Sequence, residues 1–564
     1  MSYRVGAARI DITPSLAIGV TMMGWGDAFH QVKGVDTPLY ARAISIFLPS
    51  ENRRLVMVCL EIAFITEALR AEILLRSGLH DEELILSATH THSAPGGYSS
   101  YVLYGLMNNG FVPYVFETYV SGSVKAIQDA IKAEIPAQLR VASGKIPDHI
   151  PVAFNRSIRA FNRNPDIKPV RRKNRNLAVD REMTLIRFDS EGGTPIASWN
   201  WFPVHATSIH KNRYQIHSDN KGAAALKMEE SLRKKGVSNF VAVFAQGASG
   251  DVSPNYRWYP GMIDKRGARR DDELSCQING FFQKQQAMKL FFAAKNNEPL
   301  PEKLDGIFEY HNMSSVEVES DLVGGQTGIH TGPAELGLPM FRGTAEGGGA
   351  PPLLLFFVEL SVRICQIYNF IWDTLSLNGP RWPWTHDPVQ WNKVTVIASG
   401  KSEFFETTKI DKLVYPDWVN PAVKVLRRFA KAGILKERPF TPQILPLQLA
   451  QIGNLMIAAV PAEFTTVSGW RLRKLIKTTF ENQNLDRVII QGYANSYAGY
   501  VVTPEEYLQQ GYEGGCTHFG RWTLSAYLSR FRILCKKLMK NEPKSQLKPD
   551  PVSPEFMKAF EAKK

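Results

Sequence analysis

Short apolar segments that each end in a polar or Gly-rich loop recur along this chain. Examples are Leu84–Leu86, Asn239–Phe244, Leu455–Val460 and Arg487–Ile490. Runs of this length are typical of buried strands, and helical patterns such as Asp219–Lys235 alternate with them. The sequence therefore predicts an α/β fold, with a mixed β-sheet core, flanking helices and active-site loops at strand ends.

Three of these elements have recognisable ends. Met183–Phe188 and Pro195–Phe202 flank a Gly-containing turn and predict a β-hairpin. Asp219 is the expected N-cap of a helix that ends at Gly236, and Trp522–Leu538 has the pattern of an amphipathic helix.

The length of 564 residues allows a large core with more than one lobe. We expect residues 1–540 to form the main domain and residues 541–564, rich in Lys, Pro and Glu, to form a polar and loosely held tail. Residues 323–440 begin with a Gly- and Pro-rich stretch and contain a Trp-rich one at 378–392. We interpret them as a divergent insertion or lid.

The longest apolar run, Pro352–Val358, is soon interrupted by Glu359 and Arg363. It is too short and too charged to cross a bilayer, so no transmembrane segment is expected. We expect a core helix here, and the alternative is an apolar lip that meets a lipid surface.

The chain is basic, with 67 Lys and Arg against 54 Asp and Glu, a formal net charge of +13. Such a balance suits anionic partners such as phospholipid surfaces or nucleic acids. The basic residues are dispersed, however, and no helix-turn-helix, zinc-finger or RNA-binding signature accompanies them. We therefore expect a solvated basic surface and no nucleic-acid partner.

The five cysteines are scattered and odd in number, which argues against both a disulfide framework and a thiolate zinc site. The N-terminal residues lack the apolar stretch of a signal peptide. Both features favour the cytoplasm.

His90 and His92 form the most informative motif, directly after the predicted strand Leu84–Leu86 and before a Pro-Gly-Gly loop. Side chains two residues apart on an extended segment share a face, so both imidazoles point toward one place. One imidazole can then bind a metal while the other handles a proton. The alternative is a pair of hydrogen-bonded loop histidines.

Two later loops repeat this design. His205 follows the second strand of the predicted hairpin and is a candidate metal ligand or a structural histidine, while His210 and His217 are weaker candidates. Ser253 lies in a Gly-rich loop after a strand, where hydrolases place a nucleophile, but its surroundings are not Gly-x-Ser-x-Gly. A hydrogen-bonding turn residue is the favoured interpretation of Ser253.

Near the C-terminal end, Glu463 follows a predicted strand at the start of a helix, where stabilisation by the helix dipole would also explain an acid. The segment Gly492–Tyr500, after another strand, is dense in tyrosine. Two histidines and a carboxylate, with a position left for water, are the usual ligands of a catalytic zinc. Zinc makes bound water acidic and polarises a carbonyl, and amide hydrolysis needs both effects.

Taken together and in chain order, these segments resemble the neutral (non-lysosomal) ceramidases, which hydrolyse the amide bond of N-acylsphingosine. The resemblance covers most of the chain outside its middle third. It is carried by Gly6–Pro14, Met22–Trp25, His90–Gly97, Asn155–Ser157, Ser218–Gly222, Gly250–Asn255, Pro461–Thr466, Ser468–Gly469 and Tyr500–Tyr527.

The resemblance implies a zinc-dependent amidohydrolase that acts on ceramide or another N-acyl lipid and contacts membrane surfaces peripherally. It implies one zinc ion per chain and a catalytic domain over residues 1–540. The implied zinc ligands are His90, His205, Glu463 and Tyr500. The residues implied to line the reacting amide are His92, Arg156, Ser253 and Tyr512, with the backbone of Gly24 beside them.

The chain also departs from that family. Family members carry a C-terminal immunoglobulin-like domain, which the roughly fifty residues after Tyr512 are too few to form, so we expect it to be absent. Family members are secreted or membrane-associated, whereas this sequence favours the cytoplasm. Two alternative functions stay open at this point: a metal-free serine amidase that uses Ser253, and a lipid-binding protein that has lost catalysis but keeps the scaffold.

Overall fold

The computed structural model describes residues 3–562 except 348, 351, 376–388, 392, 405–420, 482 and 484. Most of the Trp-rich stretch 378–392 therefore lies outside the described residues. The described residues form a mixed α/β fold with several sheets and flanking helices, as the sequence predicts.

The largest sheet has eight strands. In spatial order they are Val241–Ala245, Pro195–Trp201, Glu182–Ser190, Ile135–Lys145, Tyr3–Asp11, Tyr40–Leu48, Arg53–Leu60 and Leu84–Ala88. The outermost pair at each margin is parallel and the pairs between are antiparallel. Its Glu182–Ser190 and Pro195–Trp201 strands form the predicted hairpin.

A second sheet has four strands, in the order Leu304–Asn312, Ile444–Ile452, Leu455–Ala459 and Arg487–Gln491. One apolar cluster joins the two sheets face to face, with Met57 on the large sheet and Ile457 on the small one among its members. Strand side chains alternate between faces. Val58 and Met456, next to these two residues, accordingly belong to clusters on the opposite faces.

Helices cover the outer face of each sheet. The core therefore has four layers, in the order helices, large sheet, small sheet and helices. Both faces of each sheet are buried, which explains why the strands read as continuous apolar runs. Helices against the large sheet are Glu67–Ser77, Pro113–Lys132, Asp219–Arg233 and Asp272–Ala294, and those against the small sheet are Thr466–Thr479 and Thr523–Lys540. Further helices are Val102–Gly105, Ile158–Phe161, Leu338–Arg342, Pro352–Thr374, Pro421–Lys431, Pro504–Tyr507, Tyr512–Gly515 and Pro554–Phe560.

The predicted helix at residues 219–235 is present as Asp219–Arg233, but its N-cap is Ser218 and not Asp219. Asp219 has φ +56°, and its carboxylate accepts from the adjacent Asn220 N–H at 2.6 Å. That carboxylate accepts hydrogen bonds from the backbone N–H groups of Ser208 and Ile209 at 3.1 and 2.9 Å. Asp219 thus fixes the loop that follows His205.

The apolar run in the middle third does form a helix, Pro352–Thr374, but the expectation that it is a core helix is wrong. Phe356, Leu360, Ile364 and Ile367 on it are 43 to 60% exposed. Their spacing of three and four residues places them on one face. This helix therefore presents an apolar face to the surface of the described structure.

The residues after Asn541 are polar, as expected, but they are not loosely held. Their helix, Pro554–Phe560, inserts Phe556 and Phe560 into an apolar cluster of the middle third. The Phe560 ring lies 4.9 Å from that of Phe429. A Cβ on Gly105 would lie 2.4 Å from Phe560 Cζ, so a glycine is needed for this contact.

The anchoring of the tail gives the first prediction. We expect Phe560→Ala to lower the free energy of unfolding by about 3 kcal/mol, because it removes a fully buried aromatic ring, and to speed proteolysis of the tail. Chemical denaturation and limited proteolysis measure both effects. Leu547→Ala, in the same tail at 39% exposure, is the control and should change the stability by less than about 0.5 kcal/mol. Equal stability of Phe560→Ala and the wild type would contradict the anchoring.

Candidate active site

Loops that leave opposite margins of the large sheet are joined directly beyond its strand ends. Thr91 and Ala206 form a parallel β-bridge between the loop after Leu84–Ala88 and the loop after Pro195–Trp201. The side-chain amide of Gln246 donates hydrogen bonds to the carbonyl oxygens of Thr89 and Val204. The loops that carry His90 and His205, 115 positions apart in sequence, therefore lie side by side.

The small sheet contributes the third loop. Ser87 and Ala494 form a β-bridge, and the N–H of Asn495 donates to the Leu86 carbonyl at 2.7 Å. The strand ends of the two sheets are thereby tied together. Residues after Leu455–Ala459 and Arg487–Gln491 reach the same place as His90.

Backbone carbonyls fix the orientation of both histidines. Nδ1 of His90 lies 2.6 Å from the Ala63 carbonyl oxygen, and Nδ1 of His205 lies 3.0 Å from that of Val252. Because a carbonyl only accepts, each Nδ1 carries a proton, and the neutral form of each ring has its lone pair on Nε2. Burial lowers the pKa of His90 to about 4, so this imidazole is neutral near pH 7.

Glu463 faces both lone pairs. Its Oε2 lies 3.0 Å from His205 Nε2 and its Oε1 lies 3.5 Å from His90 Nε2. The hydroxyls of Tyr493 and Tyr497 donate to Oε2 and Oε1 at 3.0 and 2.5 Å. The hydrogen bonds from these two hydroxyls favour the ionised form of the carboxylate. The carboxylate is therefore ionised.

This donor set fits a divalent cation. The ligand atoms of His90, His205 and Glu463 lie within 4.8 Å of one another. Among the described residues, Nε2 of His205 has no hydrogen-bond partner although it is buried. A lone pair that faces a carboxylate oxygen at this range is repelled unless a positive charge lies between them. Two imidazoles and one carboxylate are also the ligands that a catalytic zinc prefers.

His92 lies against the first histidine, with its Nε2 3.0 Å from Nε2 of His90. The ring of Trp25 packs edge-on against it, 4.9 Å between centroids. Gly24 has φ +118°, and a Cβ there would lie 2.4 Å from His92 Cγ. Only glycine allows this backbone to lie on the imidazole. Burial lowers the pKa of His92 well below its ordinary value, so the ring is neutral.

Arg156 and Ser253 are brought together by a short antiparallel pair, Phe154–Asn155 with Val252–Ser253. Ser253 is fully buried, and its Oγ accepts from the Asn255 N–H at 2.8 Å. The guanidinium group of Arg156, one residue beyond the pair, is also buried among polar groups. Ser253 thus has the hydrogen bonds of a turn residue and a position within the site.

Tyr500 and Tyr512 lie together at one side of the site. The backbone of Tyr500 pairs with that of Glu463 in a short parallel bridge, and its hydroxyl lies 3.0 Å from Nη2 of Arg156. The ring of Tyr512 packs edge-on against that of Tyr500 at 5.5 Å. Burial raises the pKa of both phenols well above the ordinary value, so both keep their protons at neutral pH.

The two weaker histidine candidates have other partners. Nε2 of His210 lies 2.8 Å from the Lys265 carbonyl oxygen, and Nε2 of His217 lies 2.9 Å from a carboxylate oxygen of Glu273. Both rings are buried in the loop that leads into the Asp219–Arg233 helix. They support the loop rather than the cluster around Glu463.

Sequence reasoning missed four residues of this site. Tyr493 and Tyr497 lie in the tyrosine-dense segment. Their hydroxyls donate to Glu463, a role that has no local signature in the sequence. Glu346 and Glu513 both contact Arg156. Glu346 lies in the Gly- and Pro-rich stretch interpreted as an insertion, and no spacing in the sequence connects it with Arg156.

Comparison with known proteins identifies the family of this chain and agrees with its fold. The sequence matches the family described as neutral/alkaline non-lysosomal ceramidase, N-terminal, over residues 3–409 and 424–529. It is 30% identical to a neutral ceramidase of Pseudomonas aeruginosa over 549 residues, 96% of this chain and 73% of that protein. Neutral ceramidase A of Dictyostelium discoideum is 30% identical over 578 residues, 95% and 73% of the two chains.

The similarity extends to solved structures. The crystal structure of the P. aeruginosa neutral ceramidase superimposes with a TM-score of 0.76 at 29% sequence identity and covers 98% of this chain and 77% of that one. A structure described as ceramidase complexed with C2 gives a TM-score of 0.79 with the same coverage. The family match spans far more than half of the chain. This chain belongs to the neutral/alkaline non-lysosomal ceramidase family.

Proposed function

We propose that this protein hydrolyses the amide bond of ceramide, or of a related N-acyl lipid, and that it uses one zinc ion per chain to release a fatty acid and a sphingoid base. The convergence of His90, His205 and Glu463 at strand ends of two sheets carries the proposal. These three residues would hold the ion, with the Tyr500 hydroxyl as the fourth ligand. Zinc supplies a Lewis acid that polarises a carbonyl and lowers the pKa of water from about 15.7 to about 7.

The remaining residues have roles that follow from their contacts. His92 is neutral, so it can take a proton from the attacking water and deliver it to the leaving amine, a contribution of about 10²–10⁴ in rate. Arg156 donates to the oxyanion that forms on the amide carbonyl. The Tyr512 ring packs against that of Tyr500, and the backbone of Gly24 lies against His92.

Ser253 acts in this proposal as a hydrogen-bonding anchor and not as the nucleophile. Its Oγ already accepts from a backbone N–H, and no histidine among the described residues hydrogen-bonds to it. A serine nucleophile is ordinarily activated by an adjacent base such as an imidazole. A metal-free serine amidase is therefore the weaker alternative.

The zinc ligands give the second prediction. We expect the wild type to bind about one zinc per chain and His205→Ala to lose both the metal and at least about 99% of its turnover of ceramide, because an open ligand position weakens Lewis-acid catalysis by several kcal/mol. Metal analysis and fatty-acid release measure the two effects. Chelation should abolish wild-type activity, and added zinc should restore it.

The matched control is His217→Ala, which removes another buried histidine that hydrogen-bonds to Glu273 and not to Glu463. It should keep its zinc. Full activity after exhaustive chelation would exclude zinc catalysis and favour the serine amidase. Bound zinc without turnover on any N-acyl lipid would favour a lipid-binding protein.

We also propose that the apolar face of the Pro352–Thr374 helix contacts the membrane that holds the substrate. Its exposed members are Phe356, Leu360, Ile364, Ile367 and Ile371. Among the described residues no helix is long and apolar enough to cross a membrane. The net charge of +13 favours anionic lipid surfaces.

The first residue of this helix also lies close in sequence to a residue of the candidate site. Glu346, six residues before Pro352, contacts Arg156. Arg342, just before Glu346, forms an ion pair with Glu359 on the helix itself. A lipid surface that meets this face would therefore lie near the segment that connects the helix to the site.

The membrane-facing helix gives the third prediction. We expect Ile364→Glu to lower turnover of long-chain ceramide in anionic vesicles by about 10-fold or more, because a charge opposes burial of this face in lipid. Turnover of a soluble short-chain ceramide should stay within about twofold. Vesicle sedimentation reports binding directly. Leu75→Glu, at another exposed leucine of 76% accessibility, is the control, and equal losses in both variants would contradict this role.

A further inference from the structure

Glu346 is a buried carboxylate that the sequence gives no reason to place in the site. It lies in the connection between the Leu338–Arg342 and Pro352–Thr374 helices and is 2% exposed. A buried carboxylate is costly unless it is paired and hydrogen-bonded. Its partners therefore explain why it is there.

The two oxygens of Glu346 have different partners. Oε1 accepts from Nη1 of Arg156 at 3.3 Å. Oε2 accepts from the Thr207 hydroxyl at 3.0 Å and from the Asn255 side-chain amide at 3.2 Å. Thr207 is two residues from His205, and Asn255 is two residues from Ser253. Glu346 therefore links the loops that hold the site.

Arg156 has five N–H donors, and their partners can be counted. Nε donates to Glu513 at 2.8 Å, and Nη2 donates to the Gly250 carbonyl at 2.8 Å and to the Tyr500 hydroxyl at 3.0 Å. Nη1 donates to Glu346. Among the described residues one N–H on Nη1 is left over. That N–H can donate to a further acceptor, and the hydrogen bond from Nη1 to Glu346 restrains its orientation.

The Ser253 hydroxyl donates to the Asn255 carbonyl at 3.2 Å, and the side-chain amide of Asn255 donates in turn to Glu346. Burial by itself raises the pKa of Glu346, but Arg156 and the hydroxyl hydrogen bonds hold it below the ordinary value, so the group is ionised.

We propose that Glu346 is a positioning residue that orients the free Nη1–H of Arg156 toward the reacting amide. This inference rests on the proposed amidohydrolase function. Glu346 forms no hydrogen bond with the proposed ligands of the ion in the described structure and acts through Arg156. Removing its charge should thus lower transition-state stabilisation while substrate affinity is kept.

The test is Glu346→Gln, which keeps the size of the side chain and one acceptor oxygen. On a soluble short-chain ceramide we expect kcat to fall by about 10- to 100-fold and KM to change by less than about threefold, because misplacement of a reacting group by 1 Å costs about 10²-fold. Zinc content and the midpoint of thermal unfolding should match the wild type. In an Arg156→Ala background the same change should cost less than about twofold, because its partner is already gone.

A crystal structure of Glu346→Gln gives a measurement that does not depend on activity, and we expect the Arg156 guanidinium to leave the Tyr500 hydroxyl. The control is Glu309→Gln, which also removes a buried carboxylate paired with a cation, Lys537, but far from the site. It should keep wild-type kcat.

The possible outcomes separate this inference from the proposed function. An active wild type with unchanged kcat in Glu346→Gln, or an unmoved Arg156, would overturn the inference and leave the function standing. The inference would also be overturned if Glu346→Gln lowered kcat in the Arg156→Ala background by the same factor as in the wild type. A wild type without turnover of N-acyl lipids would overturn the function and the inference with it.

Discussion

Two hydrogen bonds from imidazole Nδ1 atoms to backbone carbonyls underlie the chemistry of this molecule. They fix the tautomers of His90 and His205, so that both Nε2 lone pairs face the Glu463 carboxylate. The acceptors are the carbonyl of Ala63, in the loop after Arg53–Leu60, and the carbonyl of Val252, in the short strand Val252–Ser253 within the loop that follows Val241–Ala245. A small displacement of either loop would turn a ring and remove a lone pair from the cluster. The geometry of this candidate metal site thus depends on backbone position as well as on the identity of the ligands.

Backbone position is set in turn by the packing of two sheets. Apolar side chains on facing strands hold the sheets together, and the bridge between Ser87 and Ala494 joins their ends. Both sheets are covered on their outer faces, so neither can slide without exposing apolar surface to water. The core therefore holds loops from distant parts of the chain in register at one edge. Glu463 can meet two histidines more than 250 residues earlier because of this packing.

The second half of the site is organised by charge. Arg156 lies between the carboxylates of Glu346 and Glu513 and donates to the Tyr500 hydroxyl. Each contact comes from a different element, so the guanidinium holds together the loops around it. A rigid guanidinium is suited to stabilising an oxyanion because it needs no reorganisation during the reaction. The middle third, which contributes Glu346 and the exposed apolar helix, thereby links catalysis with the lipid surface that we propose.

The sequence by itself determined the elements: the buried strands, the hairpin and the helices were predictable because apolar periodicity is a local property. It also indicated where chemistry lies, since polar residues such as His90 and Glu463 stand at strand ends. Only the tertiary structure decided which of these residues meet. Glu346 and the donors Tyr493 and Tyr497 have no local signature, and the exposed face of the Pro352–Thr374 helix looks in sequence like a core helix. The physical reason is that hydrogen bonding and burial depend on distances between segments, which periodicity does not encode.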